Sequence, residues 1–242
     1  MRSALEVEHL SKLYPQFMLR DLSFRLEGGY IMGIIGHAGA GKTTTLRCIA
    51  GLTRPNAGLV RCLGMEWEAH EMEIRQRIAY SPSEKSFFPG KTVSQIMEAT
   101  RPYYAGWDEE ASKRWIRRLE IDVNKTPSQL GKGMRVTIQL LLAMSRRAEL
   151  VLLDEPTAGL NSTELTMLME NLNYLRQAGC AVLFTTETAS DLDRCADDIV
   201  YLRDGQLVSA ERLVDFVNYR RIHGYGDTLE KIMRHYEEGD IS

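Results

Sequence analysis

Residues 30–51, YIMGIIGHAGAGKTTTLRCIAG, leave few folds open. IMGII at 31–35 is an apolar run of strand length, Gly36 to Thr43 spell G-x-x-x-x-G-K-[ST], and TTTLRCIAG continues as a helix. A strand, a glycine-rich turn and a helix start, in that order, are the context in which this motif cradles phosphate. Gly36, Gly39 and Gly41 admit backbone angles that L-residues avoid. The loop N–H groups, from Gly36 through His37, Ala38, Gly39, Ala40 and Gly41 to Lys42, Thr43 and Thr44, can therefore turn inward. The helix start adds partial positive charge. Lys42 is expected to reach the β- and γ-phosphates of a nucleotide, and Thr43 to hold Mg²⁺ through its hydroxyl.

A phosphate loop of this kind needs an acidic partner strand, and ELVLLDEPTAGLN at 149–161 supplies one. VLL reads as a buried strand that ends in two acids. Asp154 is expected in the Mg²⁺ shell. Glu155 is then placed beside the γ-phosphate, as a general base for an attacking water. Asp-Glu-Pro can also simply end a strand; the upstream loop favours the chemical reading. MgATP is the ligand these two motifs imply together.

Other features narrow the class. The length of 242 residues suits one large domain or two small ones. A net charge of −3 gives no basic field, so no nucleic-acid partner is expected. The longest apolar runs, IQLLLAM at 138–144 and LVLL at 150–153, are too short to cross a bilayer. MRSALEVEHLSK lacks a signal peptide's apolar core, so any membrane role is expected to come through a partner. Cys48, Cys62, Cys180 and Cys195 form no C-x-x-C pair and read as core or surface thiols of a reduced, cytosolic protein.

Gly36–Thr43 together with LLDEPTAGL at 152–160 resemble the ATP-binding subunits of ABC transporters, over nearly the whole chain from Leu5 to Tyr236. The resemblance implies one α/β domain over 1–242: a P-loop NTPase core with a mainly parallel sheet, an antiparallel β edge subdomain and an inserted helical subdomain. The core would take 1–88 and 150–213, the helical subdomain with its signature loop 89–149, and a helical tail 214–242. EVEHLSKLYPQFMLRDLSFRLEGG at 6–29 would supply the antiparallel strands. Tyr14 stands where the family stacks an aromatic ring on adenine. KTPSQLGKGMRVTIQLLLAMSRRAEL at 125–150 resembles the signature loop and its helix, with backbone N–H groups of Gly131 and Gly133 facing phosphate. In such proteins that loop caps ATP held by a second subunit, so hydrolysis requires a homodimer or a heterodimer. A separate transmembrane permease is implied, docked near Ser86 to Gly90 through Phe87 and Phe88, with the chain peripheral at the inner, cytoplasmic face of the cell membrane. GYIMGIIG and RPYYAGWDEE resemble an exporter-type subgroup encoded beside one-domain membrane subunits and a transcriptional regulator. Trp107, Ala111, Trp115 and Leu119 would line one helix face. Leu229, Ile232, Met233 and Tyr236 would line another, in a helix with capping-box-like spacing between Asp227 and Glu230.

Four positions depart from the family pattern. Ser83 stands where a glutamine contacts Mg²⁺ and the attacking water, so it is expected to act through a bridging water, with Glu84 as a possible substitute acid. Gly131 replaces a serine that donates to the opposite γ-phosphate. Asn161 replaces an aspartate, which keeps an acceptor and loses a charge. Glu187 replaces a histidine that donates to the γ-phosphate. A carboxylate there accepts only, and two like charges ~4 Å apart repel by roughly 4 kcal/mol at an effective dielectric near 20. Loss of one transition-state donor often costs ~10²–10³ in rate. Slow turnover is therefore expected. A heterodimer spreads the lost donors over two sites and is slightly favoured, though a homodimer stays open. The competing reading is an ATP-binding regulatory module that dimerises and scarcely hydrolyses. A soluble ATPase acting on ribosomes or DNA fits less well, because those usually carry two ATPase domains or long coiled-coil insertions.

Overall fold

The computed structural model describes residues 3–83 and 90–238. The chain opens with β1 (Ser3–Tyr14), β2 (Phe17–Glu27) and β3 (Ile31–Ile35), followed by α1 (Lys42–Ile49), β4 (Ala57–Cys62), β5 (Met65–Glu66), α2 (Trp67–Arg77) and β6 (Ile78–Ser81). Three helices follow: α3 (Val93–Thr100), α4 (Glu109–Arg118) and α5 (Lys132–Ser145). Then come β7 (Leu150–Leu153), α6 (Ser162–Gln177), β8 (Ala181–Thr186), α7 (Ala189–Cys195), β9 (Asp198–Arg203), β10 (Gln206–Arg212), α8 (Leu213–Ile222) and α9 (Leu229–Glu238).

The strands form one mixed sheet in the order β5-β4-β1-β2-β10-β9-β3-β8-β7-β6. From β9 to β6 every pairing is parallel. β1, β2, β4 and β5 are antiparallel, which is the expected β edge. Parallel strands covered on both faces read as unbroken apolar runs. Side chains alternate across such a sheet. Val151, Leu153, Val182, Phe184, Ile199 and Tyr201 accordingly enter one core. Their neighbours Leu150, Leu152, Ala181, Leu183, Val200 and Leu202 enter the other. The first core is closed by α4 to α9 and the second by α1, α2 and the antiparallel strands.

Three helices between 90 and 149 stand where the helical insertion was expected. α4 starts later than the Trp107 stripe implies. Asp108 takes the cap position, accepting from Ala111 N–H at 2.9 Å, so half-buried Trp107 precedes the helix while Ala111, Trp115 and Leu119 are buried. The tail helix buries Leu229, Ile232 and Met233 as expected, but its cap differs. Thr228 Oγ1 accepts from Lys231 N–H at 3.3 Å, while Asp227 pairs with Lys231 Nζ and Glu230 with Arg234, so no capping box joins Asp227 to Glu230. All four cysteines are free and buried. Among the described residues, no helix is long and apolar enough to cross a membrane.

The carboxyl ends of β3, β7 and β8 lie side by side. The loops that follow them, beginning at Gly36, Asp154 and Glu187, meet at one rim. This is where α/β sheets of parallel strands present their ligand-binding groups.

Candidate nucleotide site

The phosphate loop is pinned from several sides. A side chain at Gly36 would place a Cβ 2.2 Å from Leu202 O, so strand β9 excludes anything larger. Gly41 caps α1 with φ 106°, and a Cβ there would meet Leu19 Cδ2 at 2.4 Å and Phe17 Cζ at 2.8 Å. Ala40 O accepts from Gly205 N–H at 3.1 Å. His37 Nε2 lies 3.2 Å from Asp204 Oδ1. The turn between β9 and β10 therefore braces the loop.

Lys42 is 4 % exposed and points back across the loop. Its Nζ donates to Gly36 O at 2.9 Å, His37 O at 3.1 Å and Glu187 Oε1 at 2.9 Å. Glu155 Oε1 lies 3.8 Å away. Phe17, Ala38, Gly39, Gly41, Lys42, Thr43, Thr44, Glu155 and Glu187 enclose a cavity of about 340 Å³ at this point.

A hydroxyl relay joins the two acidic and basic halves. Thr43 Oγ1 donates to Asp154 Oδ1 at 3.0 Å, and Thr185 Oγ1 donates to the same oxygen at 2.8 Å. Thr185 Oγ1 also accepts from Glu155 N–H at 2.8 Å. That bond holds Glu155 at φ 45°, a left-handed conformation uncommon for a non-glycine residue. Asp154 is 2 % exposed, and its oxygen beside the Thr43 hydroxyl makes a pair of hard donors suited to Mg²⁺. Thr185 has no place in either motif. The only cue to it is a pair of polar residues closing the otherwise apolar run VLFTT.

Other expected site residues sit apart. Tyr14 ends β1 and is 39 % exposed, with Lys12 Nζ 5.3 Å from its ring centroid. Its partner across the turn, Phe17, is the aromatic that lines the cavity. Ser83 is exposed just beyond β6 and does not line that cavity. Glu84 and the docking stretch, apart from Gly90, lie outside the described residues.

The two glycines of the signature stretch differ in their surroundings. Gly131 caps α5 with extended backbone, as a helix start requires. Gly133 N–H, however, is already engaged, donating to Glu164 Oε1 at 3.0 Å. Glu164 also completes the capping box of α6: its Oε2 accepts from Asn161 N–H, and its own N–H donates to Asn161 Oδ1. An anion approaching this helix start meets a carboxylate.

The ABC transporter family model matches residues 19–158, more than half of the chain. This chain belongs to the ABC transporter family. The ABC transporter ATP-binding protein YtrB of Bacillus subtilis is 30% identical over 207 residues, covering 85% of this chain and 70% of that protein. The SkfA peptide export ATP-binding protein SkfE of the same organism is 29% identical over 210 residues, covering 84% and 87%. A solved ATP-binding subunit of an ABC transporter superposes with TM-score 0.83 at 28% identity, covering 97% of this chain and 98% of that one. A dimeric ATP-binding cassette bound to ADP and Pi shares the fold, with TM-score 0.75 at 21% identity, covering 86% and 98%. The chain is thus an ATP-binding ABC subunit with a P-loop NTPase fold.

Proposed function

We propose that this subunit binds MgATP at the rim of β3, β7 and β8 and hydrolyses it slowly, in a dimer that powers a separate membrane permease. One observation carries the reading. The relay Thr43–Asp154–Thr185–Glu155 brings the phosphate loop and the acidic strand end into a single constellation. Thr43 and Asp154 would hold Mg²⁺, which when bound neutralises phosphate charge. The loop N–H groups and Lys42 bind and orient the polyphosphate. Glu155 accepts the proton of the attacking water. Ser83 would reach the site only through a water. Tyr14, or Phe17 beside it, offers a ring for adenine.

Slow turnover follows from three features. Gly131 has no hydroxyl, Gly133 N–H is occupied, and Glu187 cannot donate to phosphate. The dimer is either a homodimer or a pairing with a second ATPase subunit. The same features favour a second reading, in which the chain binds ATP and dimerises as a regulatory subunit with scant hydrolysis. Attachment would be at the cytoplasmic face of the membrane, through the permease. Steady-state phosphate release with MgATP, measured beside the Glu155→Gln variant, tests the proposal. Release that disappears in the variant supports a working ATPase. Release that survives it assigns the water's proton to another base. No release from either, with ATP bound, favours the regulatory reading.

A further inference from the structure

We propose that the cavity between α4 and the end of α6 is a second ligand site, built for a small organic anion with a planar apolar body. It lies away from the nucleotide site. Glu149 and Cys180 directly precede β7 and β8, so this cavity sits at the amino ends of those strands, whereas the phosphate loop meets Asp154 and Glu187 at their carboxyl ends. α4 and the turn after α5 form one wall and the end of α6 the other, around about 510 Å³. Volumes of this size are typical of small-molecule sites.

The base of the cavity is aromatic. Trp115 is 6 % exposed, and its ring meets that of Tyr174 edge-on, with 4.9 Å between centroids. Tyr174 keeps 41 % of its surface in solvent, and the Arg118 guanidinium lies 4.4 Å from its ring centroid. Arg114 and Arg118 stand one turn apart on the same face of α4. Arg147 joins them from the turn after α5.

The carboxylates of the cavity do not balance these cations. Asp108 Oδ2 is taken by Arg147, from Nε at 3.2 Å and Nη2 at 2.8 Å. Glu149 is held by Arg77, which reaches it from outside the cavity through Nε at 2.6 Å and Nη2 at 3.0 Å. Among the described residues, neither Arg114 nor Arg118 makes an ion pair. Arg114 does share the field around Asp108. That carboxyl is held below the ordinary carboxylate range by Ala111 N–H first and by Arg147, with Arg114 adding to the pull.

Guanidinium forks match the oxygens of a carboxylate or phosphate, and they stack on aromatic faces. An anionic head is therefore held among Arg114, Arg118 and Arg147, with its apolar body against Tyr174 and Trp115. The end of α6 sets the orientation. Its last carbonyls carry partial negative charge, so the head turns to α4 and the body to Ala178 and Gly179. A bilayer would meet the arginines at the rim and leave the aromatic base untouched.

Calorimetric titration of the full chain, without nucleotide, tests the proposal with three probes. They are 2-naphthoate, its uncharged counterpart 2-naphthamide, and inorganic phosphate, which has charge and no body. 2-Naphthoate should bind about tenfold more tightly than either of the others. Arg114→Gln and Arg118→Gln should each weaken it about tenfold, whereas Arg117→Gln, exposed on α4 but outside the cavity wall, should leave it within about twofold. Both lining arginines are exposed, and the buried face of α4 is Ala111, Ser112 and Trp115, so these changes leave the fold in place. Equal affinity for naphthoate and naphthamide, phosphate binding as tight as naphthoate, an equal loss in Arg117→Gln, or no naphthoate binding would each overturn the proposal. So would retention on phosphatidylglycerol vesicles through the same arginines without naphthoate binding, which would assign the patch to a lipid surface.

Discussion

Replacing Thr185 by valine exchanges a hydroxyl for a methyl group at a fully buried position and changes little else. The lost oxygen makes two bonds of 2.8 Å, one donated to the Asp154 carboxylate and one accepted from Glu155 N–H. A neutral hydrogen bond contributes about 1 kcal/mol and one to a charged group about 1.5–3 kcal/mol. A buried N–H left without a partner costs about 1–3 kcal/mol. The bonds share one atom and do not add fully, so a loss of about 2–4 kcal/mol is expected. Function should suffer selectively. Glu155 is held at φ 45°, a conformation that persists only where its surroundings enforce it. Freed of Thr185, its backbone relaxes and its carboxylate leaves the water's approach, while Lys42 and the loop stay intact. Urea unfolding should report the stability loss, phosphate release should fall strongly, and nucleotide affinity should change far less. Thr185→Ser keeps the oxygen and should recover most of both losses. A destabilisation of Thr185→Val below about 0.5 kcal/mol, or a serine variant as impaired as the valine one, would refute the relay.

Glu187→His restores a donor facing the γ-phosphate and should raise steady-state phosphate release about a hundredfold, the lower end of the range such donors contribute; a fall would show that the carboxylate has acquired a catalytic duty of its own. Burial pushes the Cys48 thiol up to about 11 and those of Cys62, Cys180 and Cys195 up to about 12. At pH 8 an aromatic disulfide reagent should therefore label the native chain slowly and all four thiols at once in denaturant. The sign for stability follows from the same shifts. The unfolded chain releases thiol protons above 9.0 that the folded chain retains, so these groups subtract nothing below that pH and progressively lower stability towards about 11 to 12. A urea midpoint that rises between pH 9 and 10.5 would contradict this, once other titrating groups are matched in a cysteine-free variant.

The parts of the site that were legible in the sequence share one property: spacing encodes their geometry. Gly36 to Thr43 form a single turn between a strand and a helix, so the distance between Gly36 and Lys42 is fixed by local backbone. Asp154 and Glu155 end an apolar strand, β7, that lies one strand away from β3 with β8 between them. Thr185, which meets Asp154 and Glu155, and Phe17, Asp204 and Gly205, which meet the loop, were missed because each contact depends on the sheet order, which no local pattern states. The Glu187 carboxylate was legible as a departure, but its pairing with Lys42 depends on a contact across 145 positions of chain. Helix boundaries show a similar limit. The stripe that includes Trp107 has the right period, yet Asp108 accepts the first N–H and sets the start. In the tail, Asp227 satisfies the spacing of a cap, but Lys231 is a neighbouring cation one turn on and draws the carboxylate away, leaving the cap to the Thr228 hydroxyl.

Glu164 touches two helix starts at once, Gly133 at the head of α5 and Asn161 at the head of α6. Mechanically it is a rivet. The start of α5 cannot slide past the start of α6, which the strand-end loop carrying Glu155 leads into, without tearing Gly133 N–H from the Glu164 carboxylate. Glu164 thus sets the register of the two helix starts, and loosening it would leave their alignment to the packing of their apolar faces alone.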